Sequence, residues 1–137
     1  MADSRSRKQY LVYDGVLVSP DVPLLHSTNR AFRYGDGLFE TIRFHKGEPL
    51  HWESHYQRLL KGMAVLKMAS GSFPSRQSMR DSIIDLVVKN RIFADARVRL
   101  TVFRKGEGST RRIECRCRGS SKPRIFTRRD IHFPKRD

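Results

Sequence analysis

The spacing of apolar residues predicts strands in several parts of the chain. Residues 9–13 and 16–19 are short apolar runs on either side of Asp14-Gly15, a pair that favours a tight hairpin because it accepts positive φ. Residues 38–44 and 94–104 alternate apolar and polar side chains, which is the period of a strand with one buried face. The first of these two strands should therefore place Phe39, Thr41 and Arg43 on one face and Leu38, Glu40, Ile42 and Phe44 on the other.

Two further parts of the chain carry apolar residues at the spacing of an amphipathic helix. Over residues 53–69 the stripe runs through His55, Leu59, Met63 and Leu66, and over residues 75–90 through Met79, Ile83, Leu86 and Val87. Ser75 or Ser78 is a suitable N-cap for the second helix. Residues 45–48 should turn the chain, and residues 49–52 should return it as a short strand. Together these elements predict an α+β fold, an antiparallel sheet with two helices.

Positive charge is distributed unevenly along the chain. The formal net charge of +14 on 137 residues would suit a polyanion partner. From Ser109 onward, however, ten Lys and Arg residues stand against three Asp and Glu residues, so half of the excess lies there. We therefore expect an ordered α+β domain over residues 1–108, followed by a basic, disordered or frameshifted tail over residues 109–137. Non-specific polyanion binding is expected of that tail.

Other compositional signals are weak. No run approaches the roughly 18 apolar residues that a membrane span needs, and residues 1–8 are polar with no apolar segment behind them. This predicts a cytoplasmic protein with no membrane partner. Cys115 and Cys117 have no second pair of cysteines to complete a zinc site, so we expect reduced thiols and no metal.

The densest motif runs from Asn29 to Phe44 as NRAFRYGDGLFETIRF, followed by Gly47-Glu-Pro-Leu50 and His55-Tyr-Gln-Arg-Leu59. In this order the motifs resemble the N-terminal domain of the class IV (fold type IV) pyridoxal-phosphate enzymes. That family includes branched-chain and D-amino-acid aminotransferases and aminodeoxychorismate lyase. The resemblance covers residues 10–108 and implies the small N-terminal domain of that fold, with the larger C-terminal domain missing.

The resemblance implies a cofactor-binding role for Arg58. In the family, the arginine of the His-x-x-Arg-Leu helix holds the phosphate of pyridoxal 5'-phosphate, and a guanidinium offers a phosphate both a permanent charge and a planar donor fork. On the residues alone, Arg58 is a solvated helix residue. His55, one turn earlier, is expected to be a packed structural histidine, and Glu40 and Arg43 to position strands or form ion pairs.

The same resemblance implies substrate contacts for Tyr34, Phe39, Arg99 and Arg104. The two aromatic residues match positions that line the substrate pocket in the family; the alternative is that both are ordinary core residues. Arg99 matches the carboxylate-binding arginine of the branched-chain enzymes, and Arg104 lies nearer that of the D-amino-acid and lyase branches. Alternation along the strand puts Arg99 with Thr101 and Arg104 with Val102, so both arginines cannot enter one pocket. Surface exposure is the alternative for each.

The chain departs from the family in its catalytic lysine. Class IV chemistry needs a lysine that forms a Schiff base with the cofactor and moves the substrate α-proton. None of the lysines, at positions 8, 46, 61, 67, 89, 105, 122 and 135, has the matching context. We therefore assign no catalytic residue and expect an N-terminal fragment that is inactive alone. A natural one-domain relative with its own basic tail is the alternative.

Three functions remain open on the sequence. The first is a class IV aminotransferase of amino-acid biosynthesis that exchanges an amino group between an amino acid, branched-chain in the simplest case, and 2-oxoglutarate. As the resemblance implies, the complete enzyme would be a homodimer with amino-acid and 2-oxo-acid substrates. The second is aminodeoxychorismate lyase, which eliminates pyruvate with the same cofactor. The third is a basic nucleic-acid-binding module, although no aromatic platform accompanies its charge.

Overall fold

A computed structural model describes residues 9–104 and 111–119, the latter stretch by its backbone and by the side chain of Ile113 alone. The elements in chain order are β1 (Leu11–Tyr13), β2 (Val16–Val18), α1 (Arg30–Tyr34), β3 (Gly37–His45), β4 (Glu48–Pro49), α2 (Trp52–Val65), α3 (Arg76–Lys89), β5 (Ala96–Arg104) and β6 (Arg111–Gly119). The strands form one six-stranded sheet in the order β2-β1-β6-β5-β3-β4. Every pairing in it is antiparallel, which confirms the predicted α+β class.

The core lies between one face of the sheet and the helices α2 and α3. Strand β3 buries Ile42 and Phe44, and its neighbour β5 buries alternate residues from Ala96 to Val102. Leu59 of α2 and Ile83 of α3 are at most 1% exposed in the same cluster. Burying one such side chain contributes roughly 1.5–3 kcal/mol. The predicted core faces of the two strands are therefore confirmed, and Phe39, Thr41 and Arg43 are exposed on the other side. The prediction of one buried face is wrong at Phe103 of β5, which lies on that other side and is only 2% exposed.

Turn chemistry explains two of the boundaries. Asp14 and Gly15 both take positive φ, 48° and 80°, in the predicted hairpin of β1 and β2. Ser75 caps α3, as predicted, by accepting a hydrogen bond of 3.1 Å from the backbone of Ser78. Both features can be identified from residue type, because each depends on a local conformation that few residues favour.

The predicted start of α2 at about residue 53 agrees within one residue, but its predicted end at residue 69 and the strand predicted just before it are wrong. Residues 49–52 do not form a strand throughout: β4 ends at Pro49, His51 takes φ 55°, and Trp52 begins the helix. The indole of Trp52 donates to the carbonyl of Arg76 at 3.0 Å, which ties α2 to the start of α3. At its other end the helix stops at Val65, since Lys67 turns the chain with φ 55°.

Two elements were not expected. The five-residue helix α1 is capped by Asn29, whose side chain accepts from the backbone of Ala31 at 2.9 Å, and it has no apolar stripe to identify it. Strand β6 pairs with both β1 and β5. The prediction of a disordered segment is therefore wrong for Arg111–Gly119. Open edges on either side supply backbone hydrogen bonds that need no apolar pattern. The rest of the predicted tail, residues 109–110 and 120–137, lies outside the described residues.

Candidate functional site

A cluster of three polar side chains joins β3 to α2. Glu40 projects from the helix-facing side of β3, and His55 and Arg58 lie one turn apart on α2, so all three meet at the sheet–helix boundary. Glu40 Oε2 lies 2.5 Å from His55 Nδ1 and 2.8 Å from Arg58 Nη2, and Oε1 accepts from Arg58 Nε at 3.2 Å. The carboxylate is thus bound from both oxygens.

Hydrogen bonds, acting against burial, determine the charge state of Glu40. The side chains of Glu40 and His55 are only 14% and 11% exposed. Burial alone would raise the pKa of Glu40, but the hydrogen bonds from Arg58 and His55 outweigh it and hold that pKa below its ordinary value. An ionised carboxylate can only accept, so Nδ1 of His55 carries the proton and donates. Arg58 Nη2, 3.0 Å from that nitrogen, is also a donor, and Oε2 is the acceptor that both share.

Arg58 itself faces solvent. Its side chain is 60% exposed, and the hydrogen bond to Glu40 raises its pKa above the ordinary value. Within the described part of the chain its hydrogen-bond partner is Glu40, bound through Nε and Nη2. The Nη1 group is left for another ligand. A permanent positive charge with a free donor edge fits a phosphate, so the chemistry expected of Arg58 is compatible with the geometry.

The opposite face of the sheet carries two of the residues predicted to contact substrate. The guanidinium carbon of Arg99 lies 4.1 Å from the centre of the Phe39 ring, a cation–π contact between neighbouring strands. Phe39 is 55% exposed, so it is not a core aromatic. Thr41, in register with Arg99, is exposed on the same face. Arg99 and Phe39 together form a cationic and aromatic surface open to solvent.

Arg104 lies elsewhere and is already bonded. Its side chain is 18% exposed, Nε donates to Asp36 at 3.0 Å, and Nη2 donates to the carbonyl of Leu66 at 2.6 Å. Asp36 also accepts from Arg30 at 2.8 Å. The Arg30 hydrogen bond, against the opposing effect of burial and together with Arg104, lowers the pKa of Asp36. The structure thus ties Arg104 to the ends of α1 and α2, and its partners differ from those of Arg99.

Tyr34 ends α1 and is 67% exposed, so it too is not a core residue. Its ring lies 5.6 Å from the guanidinium of Arg30 and 5.5 Å from that of Arg33. The expected ion pairs are present: Glu40 binds Arg58, and Arg43 binds Asp95 at 3.2 Å. Sequence reasoning did not find that Glu40 and His55 share a bond. The available signal was the three-residue spacing of His55 and Arg58, which puts both on one helix face.

The described residues hold no group of three His, Cys, Asp or Glu side chains suited to a metal ion. In that same part of the chain, the helices are too short and too polar to cross a bilayer.

Comparison with solved structures reproduces the fold. The chain aligns with a branched-chain aminotransferase from Thermoproteus uzoniensis at a TM-score of 0.74 and 17% identity, covering 84% of this chain and 42% of that one. A hypothetical aminotransferase from Mycobacterium tuberculosis, solved without ligand, aligns at a TM-score of 0.70 and 26% identity, covering 80% of this chain and 39% of the other. The chain therefore spans about two fifths of the length of these proteins.

Sequence comparison identifies the family. An aminodeoxychorismate lyase from Vibrio harveyi is 32% identical over 62 residues, which are 45% of this chain and 22% of the lyase. A bifunctional aminodeoxychorismate lyase and D-amino acid transaminase from Mycobacterium tuberculosis is 34% identical over 61 residues, 44% of this chain and 21% of that protein. The family model described as Amino-transferase class IV matches residues 37–129, more than half of the chain. The chain belongs to the class IV aminotransferase family.

Proposed function

We propose that this chain forms the phosphate-binding and substrate-facing part of a pyridoxal-phosphate-dependent aminotransferase. The reaction would move an amino group between an amino acid, branched-chain in the simplest case, and 2-oxoglutarate. The observation that carries the proposal is the exposed guanidinium of Arg58, which is held by a partly buried carboxylate and retains a free donor edge. Solved relatives include one with pyridoxal phosphate bound, at 25% identity, and one with pyridoxamine 5'-phosphate, at 15% identity.

Arg58 would bind the cofactor's phosphate through its free edge. Its charge is permanent, and a charge-assisted contact to phosphate contributes roughly 1.5–3 kcal/mol. The cofactor, when bound, supplies an electron sink for the substrate's α-carbon. Glu40 would stay ionised, since its pKa lies below the ordinary value, and would keep the guanidinium in place.

Arg99, Phe39 and Tyr34 would receive the substrate. Arg99 offers a cation on the open sheet face for a carboxylate, and the Phe39 ring beneath it supplies apolar area for a side chain. Tyr34 would add a second aromatic surface. Arg104 has its donors directed to Asp36 and Leu66, which favours the Arg99 branch of the family over the branch that uses the later arginine.

Aminodeoxychorismate lyase is the second candidate. It is favoured by the two relatives at 32% and 34% identity, both of which carry that activity in their names. Under this alternative Arg104 would have to exchange Asp36 or Leu66 for a substrate carboxylate. Both candidate enzymes would use Arg58 and the same cofactor. They differ in the substrate that would bind and in the arginine that would contact its carboxylate.

Further parts of the proposal follow from the family. The active assembly would be a cytoplasmic homodimer of amino-acid biosynthesis, and the chain alone would turn over no substrate, because none of its lysines has the family's catalytic context. Any non-specific polyanion binding would come from the tail that begins at Ser109.

The test is a chimera that joins this chain to the remaining part of the Mycobacterium tuberculosis aminotransferase that it resembles. With pyridoxal phosphate, the chimera should form glutamate from 2-oxoglutarate and a branched-chain amino acid, and Arg99→Ala should reduce that rate more than Arg104→Ala does. If it instead releases pyruvate from aminodeoxychorismate and forms no glutamate, the lyase reading replaces this one. Arg43→Ala, on the same face as Arg99 but paired with Asp95, is the matched control.

A further inference from the structure

Glu40 has an unusual set of contacts for a strand residue. Its carboxylate is 14% exposed, while the guanidinium that it binds belongs to a side chain that is 60% exposed. Two nitrogens of Arg58, Nε and Nη2, turn inward to this carboxylate at 3.2 and 2.8 Å. The pairing fixes both the rotation and the reach of the Arg58 head, which a single point contact would leave free.

His55 contacts the same carboxylate oxygen that accepts from Arg58 Nη2. Its Nδ1 lies 2.5 Å from Glu40 Oε2, and its ring is 11% exposed between α2 and the sheet. Since His55 and Arg58 lie on one face of α2, both contacts to Glu40 come from a single rigid helix. Glu40 is therefore bonded both to a buried group, His55, and to an exposed one, Arg58.

We infer that Glu40 is a positioning residue, which holds the guanidinium of Arg58 in the orientation that binds an anion at its Nη1 edge. The inference rests on the proposed role of Arg58 in binding the cofactor's phosphate. An unrestrained arginine must lose rotamer freedom when it binds, and this loss weakens the complex. In this chain the loss occurs on folding instead, because Glu40 has already ordered the side chain.

Positioning and simple electrostatics predict opposite results when Glu40 becomes neutral. Glu40→Gln removes a negative charge 2.8 Å from Arg58, so electrostatics alone predicts tighter binding of an anion. If Glu40 acts by ordering Arg58, the same substitution weakens anion binding about two- to tenfold, the size expected when one flexible side chain must be immobilised on binding. The direction of the change therefore separates the two explanations.

The experiment uses the full chain labelled with ¹⁵N and inorganic phosphate as the probe. In the unsubstituted chain, relaxation of the arginine Nε–H groups should show Arg58 as rigid as the backbone and Arg76 as mobile. Arg76 pairs with Glu53 at the surface, where both side chains are more than half exposed, so it is the matched comparison. This arm needs no variant, and an Arg58 Nε–H group as mobile as that of Arg76 would overturn the inference.

Phosphate is then titrated into Glu40→Gln, Glu53→Gln and Arg58→Ala, with the backbone amides of α2 as the readout. We expect weaker binding in Glu40→Gln, with Arg58 Nε–H becoming mobile, and no weakening in Glu53→Gln. Equal or tighter binding in Glu40→Gln would overturn the positioning role. If Arg58→Ala binds phosphate as well as the unsubstituted chain does, the assignment of Arg58 in the proposed function fails, while the relaxation arm still judges whether Glu40 orders it.

Discussion

The two faces of strand β3 use neighbouring residues in different ways. On the helix-facing side Ile42 and Phe44 are buried and Glu40 is partly buried, and the Glu40 carboxylate is hydrogen-bonded through both oxygens. On the open side Phe39, Thr41 and Arg43 are exposed, and the contacts of Phe39 and Arg43 are with side chains at the surface. Because side chains alternate between the two faces of a strand, this one nine-residue strand supplies both a preorganised group and an accessible surface.

The largest effect on stability is expected from a substitution on the helix-facing side of β3. Ile42→Ala should lower the free energy of unfolding by about 2–4 kcal/mol, because Ile42 is fully buried among α2, α3 and β5 and its truncation leaves a cavity. Thr41→Ala, one position away on the open face, should change it by at most about 0.5 kcal/mol. Urea denaturation followed by far-ultraviolet circular dichroism measures both. Equal losses would mean that the open side is also packed.

A smaller effect should come from the ion pair of Asp36 with Arg30 and Arg104. The pKa of Asp36 in the folded protein lies below its ordinary value of 3.8, so this group contributes stability that is present above that pH and lost as the pH falls through the lowered pKa. Asp36→Asn should therefore make the acid loss of stability shallower below about pH 4. Asp21→Asn, an exposed aspartate, is the control. The measurement is the urea midpoint of unfolding at pH 3 and at pH 7 for each variant and for the unsubstituted chain. The prediction is contradicted if the midpoint of the Asp36 variant falls between pH 7 and pH 3 as much as that of the unsubstituted chain.

The smallest effect on stability is expected from the open face. Phe39→Ala removes the ring beneath Arg99, an exposed cation–π contact that contributes about 0.5–1 kcal/mol. We expect a loss of that size or less in urea denaturation. In the chimera described above, the same substitution should raise the Michaelis constant for the branched-chain substrate. A loss of stability near that of Ile42→Ala would show that Phe39 is a structural residue and not part of a binding surface.

Sequence alone predicted the elements whose formation depends on local signals. The Asp14-Gly15 hairpin, the Ser75 cap and the alternation of residues 38–44 all depend on residue type or period, and each is present. Strand β6 was missed because it is held by backbone pairing with β5, which directly precedes it, and with β1 near the start of the chain, and not by an apolar pattern of its own. Tertiary pairing of this kind leaves no periodic trace in an arginine-rich segment.

The sequence supplied the candidate site residues, whose roles stay predictions, but not the contacts between them. The resemblance selected Arg58, Phe39 and Arg99, and the predicted separation of Arg99 from Arg104 agrees with their different partners. The sequence did not predict which charged side chains contact each other. Glu40 lies 15 residues from His55 and 18 from Arg58, and their contact depends on how α2 packs on β3.

The central claim, that Arg58 binds the cofactor's phosphate, is tested most directly by the affinity of the chimera for pyridoxal phosphate. Arg58→Ala should weaken that affinity by about one to two decades, the loss of a charge-assisted phosphate contact. Arg58→Lys should recover only part of it, because lysine keeps the charge and loses the planar fork. Arg43→Ala should change the affinity little. If the chimera with alanine at position 58 binds pyridoxal phosphate as tightly as the unsubstituted chimera does, the phosphate role of Arg58 is contradicted.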